Sequence, residues 1–572
     1  MTDKLSQLPE IYRESRESTA VDAIANNFYE KYLELHPDEA TLQGRTGHET
    51  EYRDFSPAGH QRYITLVRET LQKLKEATAQ DDVDQVTIDA MNERLGLDLE
   101  LDAAGLGTWE LNNIASPVQG IRAIFDLMNR NTSEDWKHIA GRLHNVGGAI
   151  DGFIESLEEA RQRGKVSARR QVKIVIEQTD AYIAKDGFFN QLADEIAQNA
   201  PKHEELAREG ATSAVQGYTR LNTYLRESLL PEAPTQDAVG KENYQLYSRQ
   251  FLGAVIDMEE TYAWGVEELD RIIAEQKAVA EEIKPGATVA EAKEILDNDP
   301  ARQLNGTEAL QQWMQRTSDA AVEKLAQGYF VIEGPMRELE CMIAPTQEGG
   351  IYYTGPSADF ARPGRMWWSV PAGEDSFGTW RETSTVYHEG VPGHHMQISV
   401  ATAIAETMNN WRSQGVWVSG HGEGWALYAE RLMEELGFLS DPGDRMGMLD
   451  AQRLRAARVV FDIGLHCGLE IPTRWVDELG LEPGIWDAES GFAFLKENLD
   501  LSEGQLRFEY LRYMGWPGQA PSYKIGQRIW EQLRDAARRA GTAGEHDRDF
   551  HTQALKLGSM GLDSLQRALN LG

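Results

Sequence analysis

Through most of the chain before Gly328, apolar residues recur at i, i+3 and i+4 with charged residues between them. This is the signature of amphipathic helices that share a core. The pattern predicts helices at 20–35, 61–77 and 86–101, with Pro37 and Pro57 in the breaks where helices are expected to end. It continues at 118–128, 135–161, 171–184 and 204–229. The stretch 230–240, LPEAPTQDAVG, holds two prolines and reads as a linker between a helical N-terminal half, 1–240, and a second half, 241–572, of one large unit. A long helix is predicted over 243–283, and Thr288-Val289-Ala290-Glu291 is a capping box that opens a short one. No period of 30–45 residues stands out, so no helical repeat array is expected.

At Gly328 the character changes. Residues 329–332, 350–353 and 366–370 are short, β-branched or aromatic, and separated by Gly and Pro, which predicts the strands of a small sheet. Helices then resume. The helix predicted over 455–470 carries Arg458, Asp462 and His466 on one stripe at successive i+4 steps. A second capping box, Ser502-Glu503-Gly504-Gln505, starts a helix with Tyr510 and Tyr513. The Gly/Pro-rich turn 515–526, GWPGQAPSYKIG, sets Tyr523 and Lys524 at the head of another. The fold class expected is mostly α, with a small β-sheet beside a cleft.

Composition narrows the function classes. The 572 residues are 41% hydrophobic and 26% charged, a globular balance, and no run is long enough to span a bilayer. The segment MTDKLSQLPEIYRES lacks an apolar signal region. Cys341 and Cys467 are far apart and without CxxC spacing, which fits a reducing cytoplasm better than a disulfide framework. A net charge of -35 argues against nucleic acid or an anionic membrane as partner.

The candidate chemistry lies in TSTVYHEGVPGHHMQ, residues 383–397. Three of the 13 histidines, His388, His394 and His395, fall here, and Glu389 follows the first. Neutral imidazoles beside a carboxylate suit a borderline metal. The usual zinc-hydrolase order, H-E-x-x-H, puts two imidazoles one turn apart on one helix face. Here His394 follows His388 by six residues, about 600° of an unbroken helix, which would turn it away. His395, at seven, regains the face but lies ~10 Å along the axis. Pro392 and Gly393 argue against an unbroken helix, because in one Pro392 would clash with the carbonyl of His388. A bulge or kink at Val391-Pro392-Gly393 that loops two residues out would bring His394 to the second ligand position. A bulge of different size would select His395, the other imidazole then bonding a carboxylate or substrate group. For a third ligand, GHGEGWALYAE (420–430) opens an amphipathic helix with Trp425, Tyr428, Leu432 and Leu436 at helical spacing. Glu423 in its first turn would complete the ligand set, leaving Glu389 free as general base and His421 just before the helix as a substrate-facing or supporting group.

HEGVPGHH, EGWALYAE and PGQAPSYKIG together resemble a large bacterial family labelled as being of unknown function. They are also distantly similar to helical zinc peptidases, including angiotensin-converting enzyme, thermostable carboxypeptidases and thimet-type oligopeptidases. Dipeptidyl peptidase III is a parallel, since its zinc helix carries an insertion between its two His. The resemblance implies one Zn2+ per chain and hydrolysis of oligopeptides. It also implies a Tyr near the C-terminus that donates to the oxyanion, a role that falls on Tyr523. A tyrosine plugging the core at a helix start is the structural alternative.

The expected function is therefore a zinc-dependent metallopeptidase. His388, His394 and Glu423 are the expected ligands and Glu389 the base. Tyr523 is the expected oxyanion donor, with His395, His421 and His466 as further candidates. Asp462 would orient His466 toward the site, or the stripe is an ion-pair network. An edge strand of the small sheet would hold an extended substrate by main-chain pairing, or would brace the two halves. Two other classes remain open. One is a metal-dependent enzyme that is not a peptidase, such as an amide hydrolase acting on small molecules or a non-haem iron enzyme. A di-iron bundle lacks its pair of Glu-x-x-His motifs. The other is a non-catalytic, zinc-containing binding protein, against which the spare Glu389 argues, because closing a structural site needs no such carboxylate.

Overall fold

Helices make up most of the chain in the computed structural model, which describes residues 4–345 and 350–571. The first predicted helix is found at Ala20–Leu35, followed by Pro57–Glu76 and Asp82–Ala104. The next are Pro117–Leu127, Ser133–Gln162, Arg169–Ile183 and Glu204–Tyr224, while the helices Pro37–Leu42 and Phe188–Asn199 add to the predicted set. The predicted capping boxes form: Thr288 Oγ1 accepts the amide of Glu291 at 3.2 Å, and Ser502 Oγ that of Gln505 at 3.4 Å. The main core draws side chains from Leu8 to Leu95 and from Tyr244 to Leu565. A second core, from Leu111 to Ala233, is filled by the helices between. Residues 230–240 lie pinned between them, with Pro234 O accepting from Arg169 N and Gly240 N donating to His466 O.

Two expectations are corrected. The long helix predicted over 243–283 is two helices, Lys241–Leu252 and Met258–Ile283. The amide of Gly253 returns to Arg249 O, and Asp257 caps the second helix by accepting from Glu260 N. Residues 329–332 form no strand. The amides of Tyr329 and Phe330 both donate to Leu325 O, closing the helix Thr307–Leu325, so they are not free to join a ladder. Phe330 and Ile332 are apolar because they fill the main core.

The other two predicted strands, 350–353 and 366–370, form within two residues of those bounds, at Ile351–Thr354 and Gly364–Trp368. Strands β1 (Gln303–Asn305) and β5 (Ser376–Gly378) pair antiparallel. Strands β2 (Leu339–Ile343), β3 (Ile351–Thr354) and β4 (Gly364–Trp368) form a second sheet of order β2-β4-β3. In it β2 runs parallel to β4 and β3 antiparallel, with Cys341, Met366 and Tyr353 in register. Its apolar face packs on Leu310 and Met314 and on Val386 of the next helix. That contact sets the sheet directly against the segment with the histidines.

Six helices frame that segment: α1 (Thr379–Glu389), α2 (His394–Ala403), α3 (Ser419–Glu435), α4 (Pro442–Cys467), α5 (Glu503–Gly515) and α6 (Ser522–Ala540). Helices α3 and α6 meet backbone to backbone. A Cβ on Gly526 would stand 2.2 Å from Gly420 O, and one on Gly424 would stand 2.7 Å from Gly526 Cα. The hydroxyls of Ser419 and Ser522 hydrogen-bond at 2.8 Å at the heads of the two helices, and Trp530 donates its indole N–H to His421 O at 3.0 Å. This crossing draws the start of α6, with Tyr523, to the turn of α3 that holds Glu423.

The close approach has a measurable signature. Gly526→Ala is expected to cost about 1–3 kcal/mol, because backbone must move to admit the methyl. Gly96→Ala, in the helix Asp82–Ala104 where an added methyl meets nothing within 4 Å, is expected to gain roughly 0.5–1 kcal/mol. Urea unfolding of both variants checks the opposite signs, and equal effects would contradict the crossing.

Candidate metal centre

Helix α1 ends at Glu389, so His388 and Glu389 occupy its last two positions. The chain then turns through Gly390-Val391-Pro392-Gly393, and His394 is the first residue of α2. The expected bulge within one helix is thus a break between two. Gly390 N donates to Val386 O, Gly393 N to Tyr387 O, and His395 N to Gly390 O, so the turn satisfies carbonyls at the end of α1 and an amide at the start of α2. Gly393 is required by contact: a Cβ there would lie 1.9 Å from His388 O. Val391 is fully buried, and the Trp425 indole on α3 donates to Pro392 O at 2.9 Å and to Gly393 O at 3.2 Å. Helix α3 therefore grips the turn that carries one ligand candidate while it supplies another.

The break brings the two imidazoles together, with His388 and His394 rings 5.0 Å apart and nearly perpendicular. Ligand atoms of His388, His394 and Glu423 all lie within 4.8 Å of one another. Glu423 Oε2 stands 3.4 Å from His388 Nε2 and 3.5 Å from His394 Nε2. Both gaps exceed the ~2.8 Å of a charge-assisted hydrogen bond. They match the edge of a tetrahedron, about 3.4 Å, whose centre lies ~2.1 Å from each donor. Helix α3 begins at Ser419, earlier than the sequence predicts, so His421 sits in its first turn and Glu423 at the start of its second.

Glu430 was not anticipated. Its Oε1 accepts from His388 Nδ1–H at 2.8 Å, which fixes the tautomer that presents Nε2 to Glu423. The available signal was its spacing of seven residues from Glu423, which puts both carboxylates on one face of α3. Burial works against a proton on His388, but Glu423 and Glu430 outweigh it and push that group up to about 10. Burial likewise opposes the charge on Glu423, yet His388 and His394 hold its carboxyl far below the usual carboxylate range. Burial raises Glu389, the two imidazoles pulling the other way. Three carboxylates around two buried imidazoles make a potential that favours a cation. His394 Nδ1 is buried without a hydrogen-bond partner among the described residues.

The other histidines are placed elsewhere. His395 accepts from Tyr353 OH at 2.8 Å through Nδ1 and donates from Nε2 to Met336 O at 2.9 Å, so it bonds neither a carboxylate nor the ligand cluster. It ties β3 and the turn Gly334–Arg337 to α2, and burial lowers it to about 4. His421 accepts from Gln397 Nε2 at 3.2 Å and is lowered to about 3, chiefly by burial. His466 donates to Tyr513 O at 2.9 Å and stacks on Tyr244. It does not pair with Asp462, whose Oδ1 accepts from Tyr244 OH at 2.7 Å and Gly518 N at 2.9 Å. Asp462 thereby anchors the turn before Tyr523, and burial raises its carboxyl to about 7. Arg458 donates to Tyr513 OH at 2.7 Å and Glu509 at 2.9 Å, with its guanidinium 5.2 Å from the Tyr523 ring centre. The stripe on α4 is thus a buried polar network under the Tyr523 turn. Burial, with Glu423 close by, raises the Tyr523 phenol, which stays a neutral donor near pH 7.

Residues 37–569 match a family described as "Bacterial protein of unknown function (DUF885)". The fold is similar to that of a solved "putative lipoprotein" from Colwellia psychrerythraea at 21% identity and a TM-score of 0.79, over 96% of this chain and 98% of that one. It is also similar to a "putative lipoprotein of unknown function" from Shewanella oneidensis at 14% identity and a TM-score of 0.69, over 97% and 100%. At these identities the likeness concerns the fold. No curated protein matches the chain. Among the described residues no helix is long and apolar enough to cross a membrane.

The Glu430 contact is testable without an assay. Glu430→Gln keeps the shape but weakens the orienting bond, and zinc affinity measured by chelator competition is expected to fall about 10–100-fold. Unchanged affinity would show that the His388–Glu430 contact does not tune a ligand.

Proposed function

We propose that this chain, which belongs to the bacterial family of unknown function DUF885, is a zinc-dependent metallopeptidase acting on oligopeptides. The observation that carries this reading is the pair of tetrahedral-edge distances from Glu423 to His388 and His394, with Glu389 next to a ligand and outside the ligand set. The motif likeness to helical zinc peptidases points the same way. His388, His394 and Glu423 would hold the zinc, which would supply a Lewis acid for a carbonyl and for water.

The chain's own residues do the rest. Glu389, its carboxyl raised by burial, takes a proton from the attacking water and delivers it to the leaving amine. Tyr523 donates its O–H to the carbonyl oxygen as that oxygen gains charge. Glu430 holds His388 in the tautomer a ligand needs. Strand β3 is an edge strand, ordered after β4, and offers main-chain groups to an extended peptide. Its Tyr353 bond to His395 ties that edge to α2. We assign the cytoplasm as compartment because Cys341 and Cys467 are free thiols; the description of the similar solved proteins as lipoproteins is the competing location.

Two variants test the mechanism. Glu389→Gln is expected to keep its zinc while peptide turnover falls by about 10² or more. Near-normal turnover would sink the base assignment. Tyr523→Phe is expected to lower kcat by roughly 10²–10³ with KM little changed. A fully active variant that has lost ~1 kcal/mol of stability would make Tyr523 a packing residue.

A further inference from the structure

Trp417 stands 54% exposed, in the extended residues between the turn Trp411–Gly415 and the start of α3. Isolated exposed apolar residues are common and need no explanation. The position of this one is different. Its six-membered ring lies against α3 at Gly422, where a Cβ would meet ring carbon Cη2 at 2.3 Å. Gly422 is the residue before Glu423, so only a residue without a side chain lets the indole lie against the helix beside the ligand. The ring centre is also 6.3 Å from that of His394, with the two rings tilted. Glu423 itself keeps 21% of its side chain exposed, whereas His388 and His394 are almost covered. The cluster is thus reached from solvent on the side where Glu423 and Trp417 lie.

We propose that Trp417 is the wall of a specificity subsite that takes an apolar side chain, best an aromatic one, of a peptide residue next to the bond being cleaved. The inference rests on the proposed metal centre and names the substrate class that centre would prefer. An indole face left in water loses exposed apolar area when a flat side chain covers it, and aromatic pairs add an orientation preference to that burial. The side chain would be selected by contact with Trp417 while its carbonyl lies toward His388, His394 and Glu423.

The test uses two zinc-directed probes, acetohydroxamate and 3-phenylpropanohydroxamate, bound to the zinc-loaded full chain and measured by calorimetry. The wild type is expected to bind the phenyl probe at least about tenfold tighter, Trp417→Ala to lose most of that ratio, and Trp417→Phe to keep most of it. Trp417→Gln, which covers Gly422 with a polar chain, carries the same comparison if the Ala variant does not fold. An unchanged ratio in Trp417→Ala or Trp417→Gln, or no preference in the wild type, overturns the subsite. Zinc content of the same samples separates the two levels. One equivalent of zinc with an unchanged ratio removes the subsite alone, and a wild type that takes up no zinc removes the metal centre and the subsite with it.

Discussion

The candidate centre depends on a change of chain direction between Glu389 and His394. Six residues of continuous helix would turn the second imidazole away from the first. The turn Gly390–Gly393 instead ends one helix and starts another, leaving both rings on one side and 5.0 Å apart. Backbone hydrogen bonds from Gly390, Gly393 and His395 close the turn locally. The buried Trp425 indole then fixes the turn against α3, by donating to two successive carbonyls. Because α3 also carries Glu423 and Glu430, one helix clamps the turn, offers the third candidate ligand and orients the first. Disturbing the Trp425 contact would therefore disturb all three candidate ligands together.

Around this clamp the protein buries several charged groups that pair with one another or with polar side chains. Lys524, beside Tyr523, is fully buried and bonds Glu268 at 2.8 Å and Gln527 at 3.0 Å. Arg458 is shared by Glu509 and Tyr513, and Asp462 by Tyr244 and Gly518. Buried ion pairs add little net stability against well-packed apolar residues, and leaving one partner alone is strongly destabilising. What such a network provides here is fixed geometry for the Gly/Pro-rich turn before α6. The backbone contact of α3 with α6 then carries that geometry to Glu423.

The helices were legible in sequence because their apolar period is long and repeats, and the capping boxes at Thr288 and Ser502 formed where their spacing put them. The strand expected at 329–332 was not, since apolar β-branched residues serve a core equally well when their amides close a helix. The real β2 includes Glu340 and is too short for its alternation to stand out. At the centre, the cluster of His388, His394 and Glu423 was legible from residue type and spacing. The helix break was legible only as a kink, because its form depends on Trp425 from a distant segment. Glu430 was hidden for a related reason: a carboxylate seven residues on gains meaning only once the helix and its partner His388 are placed. His395 and His466 looked chemical by composition, but both ring contacts of His395 and the Tyr513 contact of His466 tie elements of the fold together.

The central claim is that His388, His394 and Glu423 form one zinc site. Crystals grown with equimolar zinc, measured on both sides of the zinc absorption edge, test it most directly. The account predicts one strong anomalous peak, about 2.0–2.2 Å from His388 Nε2, His394 Nε2 and Glu423 Oε2, with Glu389 outside bonding distance. A peak at His395 or His421, a closed site of four protein ligands that includes Glu389, or no peak at the cluster would contradict it.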